Sequence, residues 1–345
     1  MRQRRSYFKR RTELKGGRQE RGTRSGCAAA LALLLCATFA GAAWAQTYPA
    51  RPIRFIVGFG PGGGTDRISR ALSLKLSDSM GQQVIVDNRP GGGGSIAAII
   101  VAKASPDGYT LFAGTISTLA TNVSMYSKLP YDPVRDFAPV TLTQMTPYLL
   151  LVQPSLPVAT LKEFIALAKA TPGKLNYASA GSGGGNHLSQ EMFKFMAGID
   201  IIHVPYKGGG EQLTALISGE VQSNFNLVPT ALPQVRAGRL KALAITSAQR
   251  LAVVPEVPTI AEAGVPGYEA TSWQGVVVPA ATPRAIVNRL HGEIAKALQA
   301  PEMTQWLAAE GSTPGGITPH EFAAHIKSEI AKWAKVVKAS GARAD

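Results

Sequence analysis

Ile53-Arg54-Phe55-Ile56-Val57-Gly58-Phe59-Gly60-Pro61-Gly62-Gly63-Gly64-Thr65-Asp66 is the stretch that decides the fold. Ile53–Val57 is mostly apolar and reads as a buried strand. A glycine-rich turn follows, and Thr65 or Asp66 can cap a helix whose apolar stripe is Ile68, Ala71, Leu72 and Leu76. Working outward, residues 83–87 form the next strand. Then come the run Gly91-Gly92-Gly93-Gly94-Ser95, a short helix through Ile99 to Lys103, and a strand at 109–112. Strands and helices alternating over short links predict right-handed crossovers and a parallel sheet.

A second unit of the same kind opens near residues 148–152. Its first helix, Leu161–Ala170, sets Leu161, Phe164, Ile165 and Ala168 on one face. A strand at 175–177, another glycine loop, a helix from Leu188 and strands near 201–204, 221–225 and Lys241–Ile245 continue it. Residues 272–278 read as the chain returning to the first unit. Two helices follow. Thr282-Pro283 opens one with Ile286, Leu290 and Ile294 on a face. Thr318-Pro319 opens the last, with Phe322, Ile326, Ile330, Trp333 and Val337 at helical spacing. About 300 residues exceed the comfortable size of one core. The expected division is a lobe of residues 46–145 with 272–345 and a lobe of residues 146–271. Two chain crossings between them suit a hinged clamshell.

The N-terminus carries a different message. Residues 2–24 hold ten Lys/Arg against two acids, Glu13 and Glu20; residues 27–42 are apolar and uncharged; Ala43-Trp44-Ala45 is a small-x-small triplet. That order predicts a secretory signal peptide spanning residues 1–45, cut after Ala45. The apolar run of 16 residues is short beside the roughly 20 a membrane span needs. Arg10-Arg11 faintly resembles a twin-arginine signal, but Glu13 stands where an apolar residue is wanted, which favours the general secretory route. The chain's formal charge of +14 drops to +6 once the leader is removed. The remainder is a mildly basic protein suited to attracting anions, not a nucleic-acid binder. Both cysteines, Cys27 and Cys36, lie in the leader, so the exported part has no disulfide or thiol chemistry. Leu33-Leu34-Leu35 before Cys36 lacks the small residue that lipidation requires. The product is expected free in the periplasm.

Two glycine loops carry the candidate chemistry. The first is Phe59, Gly60, Gly62, Gly63, Gly64, Thr65 and Asp66 around Pro61. The second is Ser179, Ala180, Gly181, Ser182, Gly183, Gly184, Gly185, Asn186 and His187. Each stands between a strand and a helix. Glycines let backbone N–H groups point outward together, and a helix start adds partial positive charge, which together make an anion site. Loops on two facing lobes can grip one ligand from both sides, and the run Gly91–Gly94 with Ser95 can lie beside the first. Residues 58–63 also satisfy G-x-G-x-x-G, and Asp87 ends the next strand where a ribose-binding acid would stand, so an exported dinucleotide oxidoreductase is the enzyme alternative. Export to a compartment poor in dinucleotides opposes it, as does Pro61, which removes an N–H from the stretch that should cradle the pyrophosphate. There is no G-x-S-x-G elbow, Ser182 and His187 share one loop rather than forming a triad, and no cluster has metal-ligand spacing, so no cofactor is implied. His203, His291, His320 and His325 read as packed or surface histidines. His187, at a helix start, either donates to an anion or caps the helix.

These residues resemble the Bug proteins, solute receptors of tripartite tricarboxylate transporters. After the opening stretch, the likeness runs through residues 87–94, 105–111, 179–183 with His187-Leu188, 204–208, 254–259 and 279–283, and so covers essentially all of the exported chain. The resemblance implies an α/β, two-lobed periplasmic binding protein of type II, a small carboxylate held by backbone N–H groups of both loops with bridging waters, and delivery to membrane permease subunits. It implies a binding protein and not an enzyme, monomeric; some such receptors serve as sensors without a permease. The implied ligand residues are the first loop, Ser95, residues 179–183, His187, Tyr206, Asn226 and Trp273, though Tyr206 and Trp273 read equally well as core or hinge aromatics. Family members often carry serine at Gly184 and Gly209, proline at Glu211 and aspartate at Asn226. Without an acid at Asn226 a site for an amino group is weakened, so a plain carboxylate is expected over an amino acid.

Overall fold

The computed structural model of the chain describes residues 48–206 and 208–343. The leader, its cleavage point, both cysteines and Lys207 lie outside the described residues. The first elements are β1 (Ile53–Val57), α1 (Gly64–Met80), β2 (Val84–Asn88), α2 (Ser95–Ala102) and β3 (Thr110–Thr115). A π-helical turn, Ser117–Thr121, and the short α3 (Asn122–Met125) lead to β4 (Phe137–Val152). Then come α4 (Leu161–Ala170), β5 (Asn176–Ser179), α5 (Gly185–Ala197), β6 (Ile202–Pro205), α6 (Gly209–Ser218), β7 (Ser223–Leu227), α7 (Val228–Arg236) and β8 (Lys241–Ile245). The chain ends with β9 (Thr271–Pro279), α8 (Arg284–Gln299), α9 (Pro301–Ala309), β10 (Thr313–Pro314) and α10 (Pro319–Ser340).

The strands form one sheet in the order β2-β1-β3-β9-β4-β7-β5-β6, with β8 and β10 also on β4. The α/β units pair in parallel as the alternation predicts: β1 with β2 and β3, β5 with β6 and β7. The expectation of a parallel sheet fails at the centre. There β9 lies antiparallel to β3 and β4, and β4 lies antiparallel to β7 and β8. The strand expected to open at Tyr148 begins at Phe137. Its first part pairs with β9 through Pro147, and Tyr148–Val152 pairs with β7 and β8. It is therefore shared by both halves of the sheet. Pro139 and Pro147 disguise it as a loop. Register shifts at Pro139/Thr141 and Leu142/Gln144 absorb the irregularity.

Alternation along each strand divides the core. On one face of the first half Phe55, Val57, Val276 and Val278 meet Leu72 and Leu76 of α1 and Leu290 and Ile294 of α8. On one face of the second half Leu149, Leu151, Ala178 and Ile245 meet Leu216 and Val228. The third group runs through both halves, from Phe112 and Phe137 through Tyr148 and Phe225 to Phe164, Phe193 and Trp333. Among the described residues no helix is long and apolar enough to cross a membrane.

Candidate functional site

The helices differ in how they begin. Thr160 with Glu163, and Thr318 with Glu321, close α4 and α10 with reciprocal capping boxes. By contrast, α1 follows Gly63 and α5 follows Gly184, and neither has a side-chain cap. Glycine has no oxygen to offer the first-turn N–H groups, so both helices present open donors and the positive end of their dipoles.

The first loop is held in shape by Asp66. Its carboxylate accepts from the Gly62 N–H at 2.9 Å, from Asn88 Nδ2 at 2.9 Å and from Arg70 Nε at 2.8 Å. Burial alone would raise this carboxyl, but Arg70, Gly62 and Asn88 hold it below the usual carboxylate range. Asn88 Nδ2 also donates to the Phe59 carbonyl at 3.0 Å. The third glycine run lies beside this loop, since a Cβ on Gly94 would stand 3.4 Å from the Phe59 ring and only 2.6 Å from Thr118 Cγ2. Only glycine fits there, because Gly94 also has φ +87°. Ser95, next in chain, is buried and accepts from Asn122 Nδ2 at 3.2 Å.

The second loop rests on two stacked imidazoles. The Gly183 N–H donates to His187 Nδ1 at 3.0 Å, and His203 Nε2 lies 2.6 Å from Ser179 Oγ, which in turn accepts from the Gly181 N–H. The two rings stack at 3.9 Å, with Tyr177 against His203 at 5.0 Å. Below them the Tyr177 hydroxyl donates to Glu191, which pairs with Lys194 at 2.9 Å. His187 therefore shapes the loop: an acceptor Nδ1 makes it the neutral tautomer protonated on Nε2. Burial first, then His203 and Lys194, push His187 down to about 3. Burial and Lys194, opposed by Glu191, push His203 down to about 4. An unfolded chain binds protons at these positions near pH 6.5, so it holds more protons than the native state below that pH. Their contribution to stability is complete above about pH 6.5 and is lost as pH falls toward 4. Thermal midpoints measured from pH 7.5 down to 4.5 should fall below about pH 6, and His187→Gln should flatten that slope; an unchanged slope would mean that the ring is already charged in the fold.

Both loops lie where the halves meet. Thr121 Oγ1 donates to the Gly183 carbonyl at 2.9 Å. A Cβ on Gly185 would stand 2.6 Å from the Tyr148 hydroxyl and 2.9 Å from Ile116. On the first loop, a Cβ on Gly64 would reach Leu227 at 3.6 Å and the Gln274 side chain at 3.8 Å. A cavity of about 40 Å³ opens beside Gly62 and Gly64, with Arg67, Gln144, Leu227 and Glu310 in its wall. Gly60, Gly62, Gly63, Ala180 and Ser182 are exposed, and Thr65 is buried.

The fold places three more of the named side chains. Trp273 is a core residue: it is 1% exposed, its indole N–H donates to Glu329 at 2.8 Å, and its ring packs edge-on to Phe322. Tyr206 packs on the second half's core, and burial together with the nearby Glu220 carboxylate pushes its hydroxyl up to about 12. Asn226 is 3% exposed; its Oδ1 accepts from Thr230 while its Nδ2 has no partner among the described residues. Sequence reading passed over Gln274, which is 6% exposed and whose Oε1 has no partner among the described residues. Its only sequence signal was a polar residue inside an apolar strand. Among the described residues no group of three His, Cys, Asp or Glu could hold a metal ion. Asp87, the acid of the dinucleotide alternative, is engaged by Arg54 and Arg89.

An α/β sheet of two halves with open helix starts facing their junction is the architecture of a type II periplasmic solute-binding protein. Residues 68–342 match the tripartite tricarboxylate transporter family receptor, and the chain belongs to that family. It is 40% identical over 300 residues to Protein BugT of Bordetella pertussis, covering 87% of this chain and 92% of that one. An R. palustris protein solved with adipate is 41% identical, with a TM-score of 0.81 over 86% of this chain and 99% of that one. MatC from Rhodopseudomonas palustris, solved with bound malate, is 34% identical, with a TM-score of 0.77 over 84% of this chain and all of that one. The family consists of periplasmic receptors for solutes, and this chain is one of those receptors.

Proposed function

We propose that this receptor, exported and cut after Ala45, holds a small carboxylate between two lobes, residues 46–145 with 272–345 and residues 146–271. One carboxylate group sits between the first turns of α1 and α5, accepting backbone N–H groups from the first and second glycine loops. The observation that carries the reading is that both helices start on glycine without a cap at the junction of the halves. Closure excludes water and strengthens these charge-assisted bonds. The receptor acts as a monomer, performs no catalysis and delivers its solute to membrane permease subunits. The relatives solved with adipate and malate support a carboxylate ligand. Asn226 Nδ2 adds a donor, not an acceptor, which favours a plain carboxylate over an amino acid.

Calorimetric titration with mono- and dicarboxylates should give saturable one-to-one binding without turnover. Small-angle scattering should show a smaller radius of gyration with the ligand bound. Tighter binding of glutamate than of glutarate would overturn the preference against amino acids. Quenching of nicotinamide fluorescence on mixing with a dinucleotide, without carboxylate binding, would overturn the receptor reading for this chain.

A further inference from the structure

β4 and β9 carry the chain between the halves of the sheet, and they change sides at one level. Along β4 the last residue paired with β9 is Pro147, opposite Thr271, and the first paired with β7 is Tyr148, opposite Leu227. The chain returns through Ala270 into β9, which starts at Thr271. Pro147 has no N–H to donate, so the ladder is weakest where the partners change. Both crossings are tied to one residue, Thr246, which is fully buried. Its N–H donates to the Tyr148 carbonyl at 3.0 Å, extending the β8–β4 ladder by one residue. Its own carbonyl does not return to Tyr148 but accepts from the Ala270 N–H at 3.0 Å. The Thr246 hydroxyl stands in for it and accepts from the Tyr148 N–H at 2.8 Å. Tyr148 in turn props the start of α5, where its hydroxyl lies so close to Gly185 that a Cβ there would stand 2.6 Å away.

We infer that Thr246 is a positioning residue for ligand capture: it fastens both crossings to the second half, so closure bends the chain at Pro147–Tyr148 and Ala270–Thr271 and moves the start of α5 as part of one body. This rests on the two-lobed closure proposed above and adds the residue that directs it. Without the hydroxyl, the Tyr148 N–H is a donor left without its acceptor, and that crossing loosens. The open form then samples more lobe angles. Closing has to order them, which weakens binding although no group that touches the ligand has changed.

The test uses Thr246→Val, which keeps the side chain's shape and removes the acceptor, and Thr246→Ser, which restores it. The probe is the tightest-binding acid of the mono- and dicarboxylate series. Thr246→Val should raise the dissociation constant about three- to tenfold, the range of one net hydrogen bond, and Thr246→Ser should return it to within about twofold of wild type. Small-angle scattering should show a larger radius of gyration for ligand-free Thr246→Val than for ligand-free wild type, and equal radii once ligand is bound. Unchanged affinity and scattering in a folded Thr246→Val would overturn the inference while the closure reading stands. Hydrogen exchange on the wild type decides independently of how the variant folds: the Tyr148 and Ala270 amides should exchange equally slowly with and without ligand. Slower exchange of either on binding would show that these bonds open with the lobes, and the inference fails. If the wild type binds none of the acids, the closure reading fails and takes this inference with it.

Discussion

Gly183→Val is expected to weaken carboxylate binding by at least about a hundredfold while leaving the protein folded. Gly183 has φ +78°, where a β-branched residue costs about 1–2 kcal/mol. A Cβ there would stand 3.0 Å from Met125 Cε and 3.2 Å from its Cγ, and valine adds two methyls beyond it. The residue cannot shift freely, because its N–H is held by His187 and its carbonyl by Thr121. The strain is relieved by moving the loop, and the first-turn N–H groups of α5 move with it. Losing two hydrogen bonds to a charged group, each worth about 1.5–3 kcal/mol, is a factor of about a hundred or more. Gly183 and Met125 are both buried, but the unbranched methionine side chain can give way, so the thermal midpoint should change by only a few degrees, about the size of a local backbone effect. Gly183→Ala, with the backbone strain alone, should fall between. Affinity within about threefold of wild type for the valine variant would remove the second loop from the site.

Glu329→Ala should give the largest loss of stability. One carboxylate oxygen, Oε2, accepts from both the Trp273 and Trp333 indole N–H groups at 2.8 Å each. Both rings are fully buried, so removing the acid leaves two donors without partners. Each costs about 1–3 kcal/mol, so about 3–5 kcal/mol is expected, a large share of the roughly 5–15 kcal/mol that holds a domain together. Denaturant titration reads this as a lower midpoint at constant slope. Glu329→Gln keeps a carbonyl oxygen for both donors and should lose less than half as much. A loss under about 1 kcal/mol for the alanine variant would show that water replaces the carboxylate, and the buried triad would not be a determinant of stability.

Periodicity made β1, α4 and β8 readable to the residue, because an apolar run or a one-sided stripe is a local property of the chain. The glycine loops were readable for the same reason. What escaped depended on distant partners. The first part of β4 carries Gln144 and Thr146 toward a cavity and two prolines at its ends, so its composition resembles a loop although β9 pairs with it throughout. Trp273 and Gln274 show how finely facing is set: neighbours on one strand, they point to opposite sides of the sheet. The tryptophan, the more conspicuous of the two, points to the core and the glutamine to the glycine loop. The stacking of His187 on His203 joins a helix to a strand, and no spacing along the chain announces it.

The long β4 strand limits how this protein can be divided. Phe137–Val152 supplies a hydrogen-bonded edge to β9 at one end and to β7 and β8 at the other. A fragment ending before it lacks β9 as well and leaves the edge of β3 open, and a fragment beginning with it leaves β9 without β3; either open edge invites self-association. Neither half is therefore a portable module. Grafting a new specificity onto this scaffold should exchange loops at the ends of the strands and keep the strand itself, because it is the piece of chain that both halves need in order to exist.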